Sequence, residues 1–182
     1  MVDGGGVVKL ERIHHVAYRC NNAKETTEFY RAALNMDLVL AIAEDKVPST
    51  GEPDPYVHVF LDAGGGNVLA FFELPNSPPM GKDPNTPDWV QHIAFEVASR
   101  EVLLEAKGRL EGLGLDVLGP IDHGVFDSIY FHDPNNHRLE LSWWKSTPQQ
   151  MAELKTLAKL MIDEWDATGQ IPTHTQSLHN GS

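Results

Sequence analysis

The sequence predicts an α+β fold: two βαβββ modules whose strands form an open barrel of mixed sheet, plus one C-terminal helix. Three observations lead there. The tetrapeptide His15-Val16-Ala17-Tyr18 returns as His92-Ile93-Ala94-Phe95. Each copy is followed by a helical stripe and a short strand, Asp37-Leu38-Val39-Leu40 in one case and Asp116-Val117-Leu118 in the other. Each half then closes on a strand carrying one glutamate, Phe71-Phe72-Glu73-Leu74 and Arg138-Leu139-Glu140-Leu141. Self-similarity of this kind marks a duplicated supersecondary unit. The length of 182 residues suits one domain.

Residues 1–12 read as a tail, with three glycines and little to bury. The domain proper spans 13–145, with a first module at 13–74, a connector at 75–88 and a second module at 89–145. Ile13 to Arg19 is a strand, and Asn21 and Asn22 offer capping oxygens to a helix over Lys24 to Leu34. Leu38 to Ala43 and Tyr56 to Leu61 are strands, separated by a long loop holding Pro48, Gly51, Pro53 and Pro55. A glycine turn at 64–67 leads to a strand at Val68 to Leu74. The connector holds Pro75, Pro78, Pro79, Pro84 and Pro87, too long a stretch for a tight turn. Val90 to Val97 is a strand. Ser99 caps a helix that presents Val102, Leu103, Ala106 and Leu110 and stops at Gly112 and Gly114. Strands follow at Leu115 to Leu118, Ser128 to His132 and Arg138 to Trp144, with the Asp133-Pro134-Asn135-Asn136 turn between the last two. Thr147-Pro148 opens the final helix, at 146–168, with proline at its first position. Its apolar stripe is Met151, Leu154, Leu157, Ala158, Met161 and Trp165. Residues 169–182 read as a second tail.

Composition excludes several classes. The net charge is −12, against a nucleic-acid or anionic-membrane binder, which carries a basic footprint. Cys20 is the one cysteine, so neither an intramolecular disulfide nor a thiolate zinc finger can form. No apolar run approaches the roughly 20 residues that span a bilayer. The first residues lack the basic and apolar regions of a signal peptide. The expectation is a cytoplasmic protein that acts on a small molecule.

Side chains alternate across a strand with period two. Val16 and Tyr18, Ile93 and Phe95, Ile129 and Phe131, and Leu139 and Leu141 form bulky apolar sets that should pack under the helices. His15, His92, Ser128, Tyr130, His132, Glu140 and Ser142 fall on the opposite, concave face. Two histidines and two glutamates at matched repeat positions thus point to a metal centre, because imidazole nitrogen plus carboxylate oxygen is the donor set of Fe, Mn, Zn, Co or Ni. A buried carboxylate there needs a cation to offset its desolvation.

Residues 13–145 resemble the vicinal oxygen chelate superfamily, which includes glyoxalase I, methylmalonyl-CoA epimerase, fosfomycin- and bleomycin-resistance proteins, and type I extradiol ring-cleaving dioxygenases. The marks are His15-Val16, Glu28-Phe29-Tyr30, His92-Ile93-Ala94-Phe95, and Asp133-Pro134 ahead of Glu140. Residues 121–140, IDHGVFDSIYFHDPNNHRLE, are similar to a signature of the short, single-domain extradiol dioxygenases. His123, Ile129, Tyr130, Asp133, Pro134 and Glu140 fall in place. Asn136 stands where glycine or proline is usual, and asparagine tolerates the same left-handed backbone.

The resemblance implies that His15, His92 and Glu140 bind Fe(II). It implies that His123 serves as hydrogen-bond donor or acid and that Tyr130 holds a catechol or its product. Two features depart from it. Asn67 stands where those enzymes carry an acid/base histidine, leaving His58 as a substitute. Glu73 stands where glyoxalase I has a fourth protein ligand. Three protein ligands on a six-coordinate metal leave room for a bidentate catechol and O2; four leave room for one chelating substrate. The second reading is therefore a glyoxalase- or epimerase-type lyase or isomerase with Mn, Ni, Co or Zn. A third is a non-catalytic protein that sequesters a small molecule. The family commonly forms homodimers, and the C-terminal stripe would pack on the domain or on a second subunit.

Overall fold

A computed structural model describes residues 8–173. The tails expected at 1–12 and 169–182 lie outside it at 1–7 and 174–182. The strands are β1 (Val16–Cys20), β2 (Leu38–Lys46), β3 (Pro53–Asp62), β4 (Val68–Glu73), β5 (His92–Glu96), β6 (Leu118–Asp122), β7 (Phe126–His132) and β8 (Arg138–Trp144). The helices are α1 (Ala23–Leu34), α2 (Arg100–Gly112) and α3 (Pro148–Thr168). The chain forms two compact units. One holds the residues up to Asn85 together with Asp133–Asn136; the other holds Thr86–His132 and His137 onward.

In the first unit β1, β4, β3 and β2 form a mixed sheet in that order, β1 and β4 running parallel. Asn22 caps α1 as expected, its side chain accepting from the Glu25 amide at 2.8 Å. The helix lays Tyr30 and Ala33 over the sheet, where Leu61, Leu69 and Phe71 are fully buried. The 133–136 turn belongs here as well. Asp133 accepts from the Tyr30 hydroxyl at 3.1 Å, and Asn135 bridges the Asn21 amide and Thr26 Oγ1. Asn136 takes the left-handed conformation, φ 65°, that its place in the turn requires.

Three expectations about this unit are revised. The loop between the second and third strands shrinks to a hairpin turn, because β2 runs on to Lys46 and β3 starts at Pro53. Pro53 and Pro55 are tolerated because β4 pairs β3 only from Val57 onward, so no central ladder bond is lost. The first strand starts at Val16, leaving His15 just ahead of it. Val16 and Tyr18 are not sealed under a helix, each being 37% exposed. They sit on β1, an edge strand of its sheet.

The second unit repeats the pattern as β5-β8-β7-β6. Ser99 caps α2, which buries Leu103 and Leu110 on the side where Ile129, Phe131, Leu139 and Leu141 are buried. Val102, expected on that face, is exposed. The sixth strand lies later than the sequence suggested, at Leu118–Asp122 rather than Leu115–Leu118. Its pairing with β7 shifts register across Gly119-Pro120, a dipeptide that reads as a break in any periodicity scan. The final helix matches, with Thr147 and Gln150 completing a capping box around Pro148. None of its residues is fully buried; Met151, Leu154, Leu157 and Met161 are half-buried, while Ala158 and Trp165 are exposed.

Candidate metal centre

In the second unit the register β5–β8 sets His92 against Arg138 and Ala94 against Glu140. Tyr130 lies opposite Glu140, and Ser128 opposite Ser142. The period-two alternation brings these side chains to one face. Glu140, 3% exposed, is held at both oxygens. Ser128 and Ser142 donate to Oε1 at 2.5 and 2.6 Å, and Oε2 stands 2.9 Å from His92 Nε2.

The tautomer of His92 follows from its other nitrogen. Nδ1 lies 3.0 Å from the Val90 carbonyl, which has only lone pairs, so Nδ1 carries the hydrogen. In the neutral ring Nε2 then presents a bare lone pair to a carboxylate oxygen. That contact is one cation short: a proton or a metal ion must lie between the two atoms. Two ligand atoms about 2.1 Å from one ion, at right angles, stand about 3.0 Å apart. The observed separation fits that edge, and the Val90 carbonyl is the kind of outer partner that orients a metal-binding histidine.

Beside this pair His123 Nε2 and the Tyr130 hydroxyl share a hydrogen bond of 2.7 Å. Burial, with the Glu140 charge, pushes the Tyr130 hydroxyl above its usual range, so it remains a proton donor at neutral pH.

In the first unit His58, Phe60 and Phe72 share one face of the sheet, with His15 against it. His15 Nδ1 contacts His14 Nδ1 at 2.8 Å. The His15 ring meets His58 and Phe60 edge-on, 6.0 and 5.7 Å between centroids. His58 is stacked on Phe72 at 3.6 Å, and its Nε2 is buried without a hydrogen-bond partner among the described residues. Burial lowers its pKa. Asn67 sits in the glycine turn, its side chain donating to the Gly64 carbonyl.

Glu73 does not join this face. It lies on the helix side of β4 with Phe71 and opposite Cys20, and its Oε2 accepts from the Ala23 amide at the start of α1, 2.7 Å. The expected symmetry of two glutamates is an error of register. Ala94 faces Glu140 in the second unit; its counterpart Ala17 faces Ala70 in the first. Glu73 is three residues beyond Ala70, an odd offset that turns a side chain to the other face.

The structure thus brings together His92 with Glu140, and His123 with Tyr130, while His15 is described in the first unit. Among the described residues no three His, Cys, Asp or Glu side chains stand together as a metal cluster. No motif in the sequence alone marks Arg138 or the Val90 carbonyl as site groups. Alternation puts Ser128 and Ser142 on this face without indicating that they clamp Glu140. The available signal was the spacing: Arg138 and Ser142 stand two residues either side of Glu140.

The profile of the Glyoxalase/Bleomycin resistance protein/Dioxygenase superfamily matches residues 12–141. The chain is 29% identical over 138 residues to MhqA of Bacillus subtilis (strain 168), provisionally named a ring-cleaving dioxygenase, covering 74% of this chain and 41% of that one. It is 25% identical over 130 residues to biphenyl-2,3-diol 1,2-dioxygenase 3 of Rhodococcus globerulus, covering 71% and 62%. It therefore spans less than two-thirds of either relative. A glyoxylase/bleomycin resistance protein/dioxygenase domain from Frankia sp. EAN1pec shares the fold at TM-score 0.59 and 19% identity, covering 75% of this chain and all of that one. So does the fosfomycin resistance protein FosX of Listeria monocytogenes, at TM-score 0.54, 22% identity and 79% and 99% coverage, in a structure with Mn(II) and a dihydroxypropylphosphonic acid. With its repeated βαβββ units and a profile match across both, the chain belongs to the Glyoxalase/Bleomycin resistance protein/Dioxygenase superfamily.

Proposed function

We propose that the protein is a metal-dependent dioxygenase that opens the ring of a catechol-like aromatic, with Fe(II) as its metal. The observation that carries this reading is the placement of Glu73. Its carboxylate is committed to the first turn of α1, on the far face of the sheet from His15. The proposed protein ligands are then His15, His92 and Glu140, a two-histidine-one-carboxylate set. A six-coordinate ion held by three protein groups keeps three positions, enough for both oxygens of a diol and for O2. A four-ligand isomerase site would need Glu73, and that carboxylate is engaged elsewhere. The two curated relatives, both named as dioxygenases, support the same direction.

Bound there, the metal would supply Lewis acidity to the diol and a site for O2. The protein's own contribution is positional. Ser128 and Ser142 occupy Oε1 of Glu140 and so leave Oε2 as the free ligand atom. The Val90 carbonyl leaves His92 Nε2 as the free nitrogen. The His123–Tyr130 pair can hold a proton between imidazole and phenol and hand it to an oxygen of the substrate.

The test is anaerobic reconstitution with Fe(II), followed by oxygen uptake on a panel of catechols with mass analysis of the product. The expected product is heavier than its substrate by one O2. No uptake with any catechol, from protein shown to hold one Fe(II), would overturn the reading. A homodimer in the cytoplasm belongs to the same proposal. Light scattering on the purified protein tests the dimer, and fractionation of the source cells tests the compartment.

A further inference from the structure

Arg138 is a cationic group on the site face that the chemistry above leaves unused. It stands opposite His92 across β5 and β8, and two residues from Glu140 on the same strand face. Its guanidinium carbon lies 4.3 Å from the centre of the Tyr130 ring, a cation–π contact. No carboxylate pairs with it in the described ion pairs. Glu140, the acidic group nearest in register, already has Oε1 taken by two serines and Oε2 set against His92. The Nε of Arg138 is buried and has no hydrogen-bond partner among the described residues.

A permanently charged group with an unmet buried donor is costly, and the cost is relieved by an anion that accepts from it. Guanidinium is suited to a carboxylate through two parallel hydrogen bonds. Distance fits as well. Positions 138 and 140 are about 6.6 Å apart along the strand, roughly the separation of a ring diol from a carboxylate on the far side of the ring. Charge fits too. A divalent ion, the Glu140 carboxylate and the Arg138 guanidinium sum to +2, which a singly ionised catechol carrying a carboxylate would neutralise; Glu96, on the same face, is exposed to solvent.

We propose that Arg138 is a specificity residue that selects catechols bearing a carboxylate, such as dihydroxybenzoates or dihydroxyphenyl-alkanoates. The inference rests on the ring-cleavage reading for the catechol half of the ligand; the carboxylate half rests on Arg138 alone.

The experiment is calorimetric binding under argon to the Fe(II)-loaded protein, using 3,4-dihydroxybenzoate and 4-methylcatechol as a matched pair. Wild type should bind the carboxylated ligand at least about tenfold more tightly. Arg138→Gln should erase that preference by weakening the carboxylated ligand alone, and Arg138→Lys should restore part of it. Melting curves confirm that each variant is folded; should Arg138→Gln not fold, the Arg138→Lys comparison carries the test. Equal affinities in wild type, or equal weakening of both ligands in Arg138→Gln, overturn the proposal. Oxygen uptake on the same samples separates the two readings. A carboxylate preference without uptake supports Arg138 and removes ring cleavage; uptake on both catechols without a preference does the reverse.

Discussion

At the scale of single residues, the site depends on which oxygen of Glu140 is left free. Removing one hydroxyl leaves Oε1 under-satisfied and lets the carboxylate turn. Ser128→Ala should therefore weaken metal binding by about 10–100-fold, as read by competition with a chelating dye, and lower metal-free stability by about 1–3 kcal/mol, since Ser128 and Glu140 are both buried. Glu73 belongs to a different ledger. Its charge sits at the positive end of α1 and accepts from the Ala23 amide. Glu73→Gln should lower stability by about 1 kcal/mol in urea titration while metal stoichiometry stays unchanged; a lost metal equivalent would restore Glu73 as a ligand. Cys20, 1% exposed and facing Thr26 on α1, has its thiol pushed by burial from 9.0 up to about 11. Between those values the unfolded chain has released its proton and the folded chain has kept it. The unfolded state binds fewer protons there, so stability falls as pH rises from about 9 to 11, by on the order of 2 kcal/mol. Cys20→Ala should flatten that limb of the melting-temperature profile.

At the scale of elements, helices were the most legible features, because each carries its own start signal: Asn22, Ser99 and Thr147 all cap where the sequence places them. Strand existence was legible from the repeat. Register was not, since one glutamate in each closing strand looks equivalent until pairing shows Ala70, not Glu73, opposite Ala17. His92, Glu140 and Tyr130 could be assigned to one face by alternation, whereas His123, in the turn between β6 and β7, was reached only through the family resemblance. The task of Arg138 could not, because an arginine two residues before a glutamate reads as an ordinary surface residue without its ring partner. The sixth strand was hidden by Gly119-Pro120. Gly119 has φ 107°, and a Cβ there would stand 2.5 Å from the Ser128 carbonyl oxygen, on the strand that carries the serine clamp. Gly119→Ala must therefore move β6 away from β7 or strain both. The expected cost is about 3 kcal/mol or more in denaturant titration, accompanied by weaker metal binding through Ser128.

At the scale of the whole molecule, the two units are not two consecutive stretches of chain. The 133–136 turn is made by the second repeat and counted with the first. Asn135 is 8% exposed and serves the Asn21 amide, Thr26 and Asp133 together. Asn135→Ala should cost about 2 kcal/mol in a denaturant titration, by leaving the buried Thr26 and Asp133 groups short of partners. That turn also has a consequence in time. During synthesis the first repeat emerges complete, yet Tyr30 and Thr26 wait for partners 103 and 109 positions downstream. At roughly 5–20 residues per second, the ribosome needs on the order of 5–20 s to supply them. For that interval the early half is a tethered, unfinished chain, and the turn between β7 and β8 does not merely serve the second repeat but completes the first.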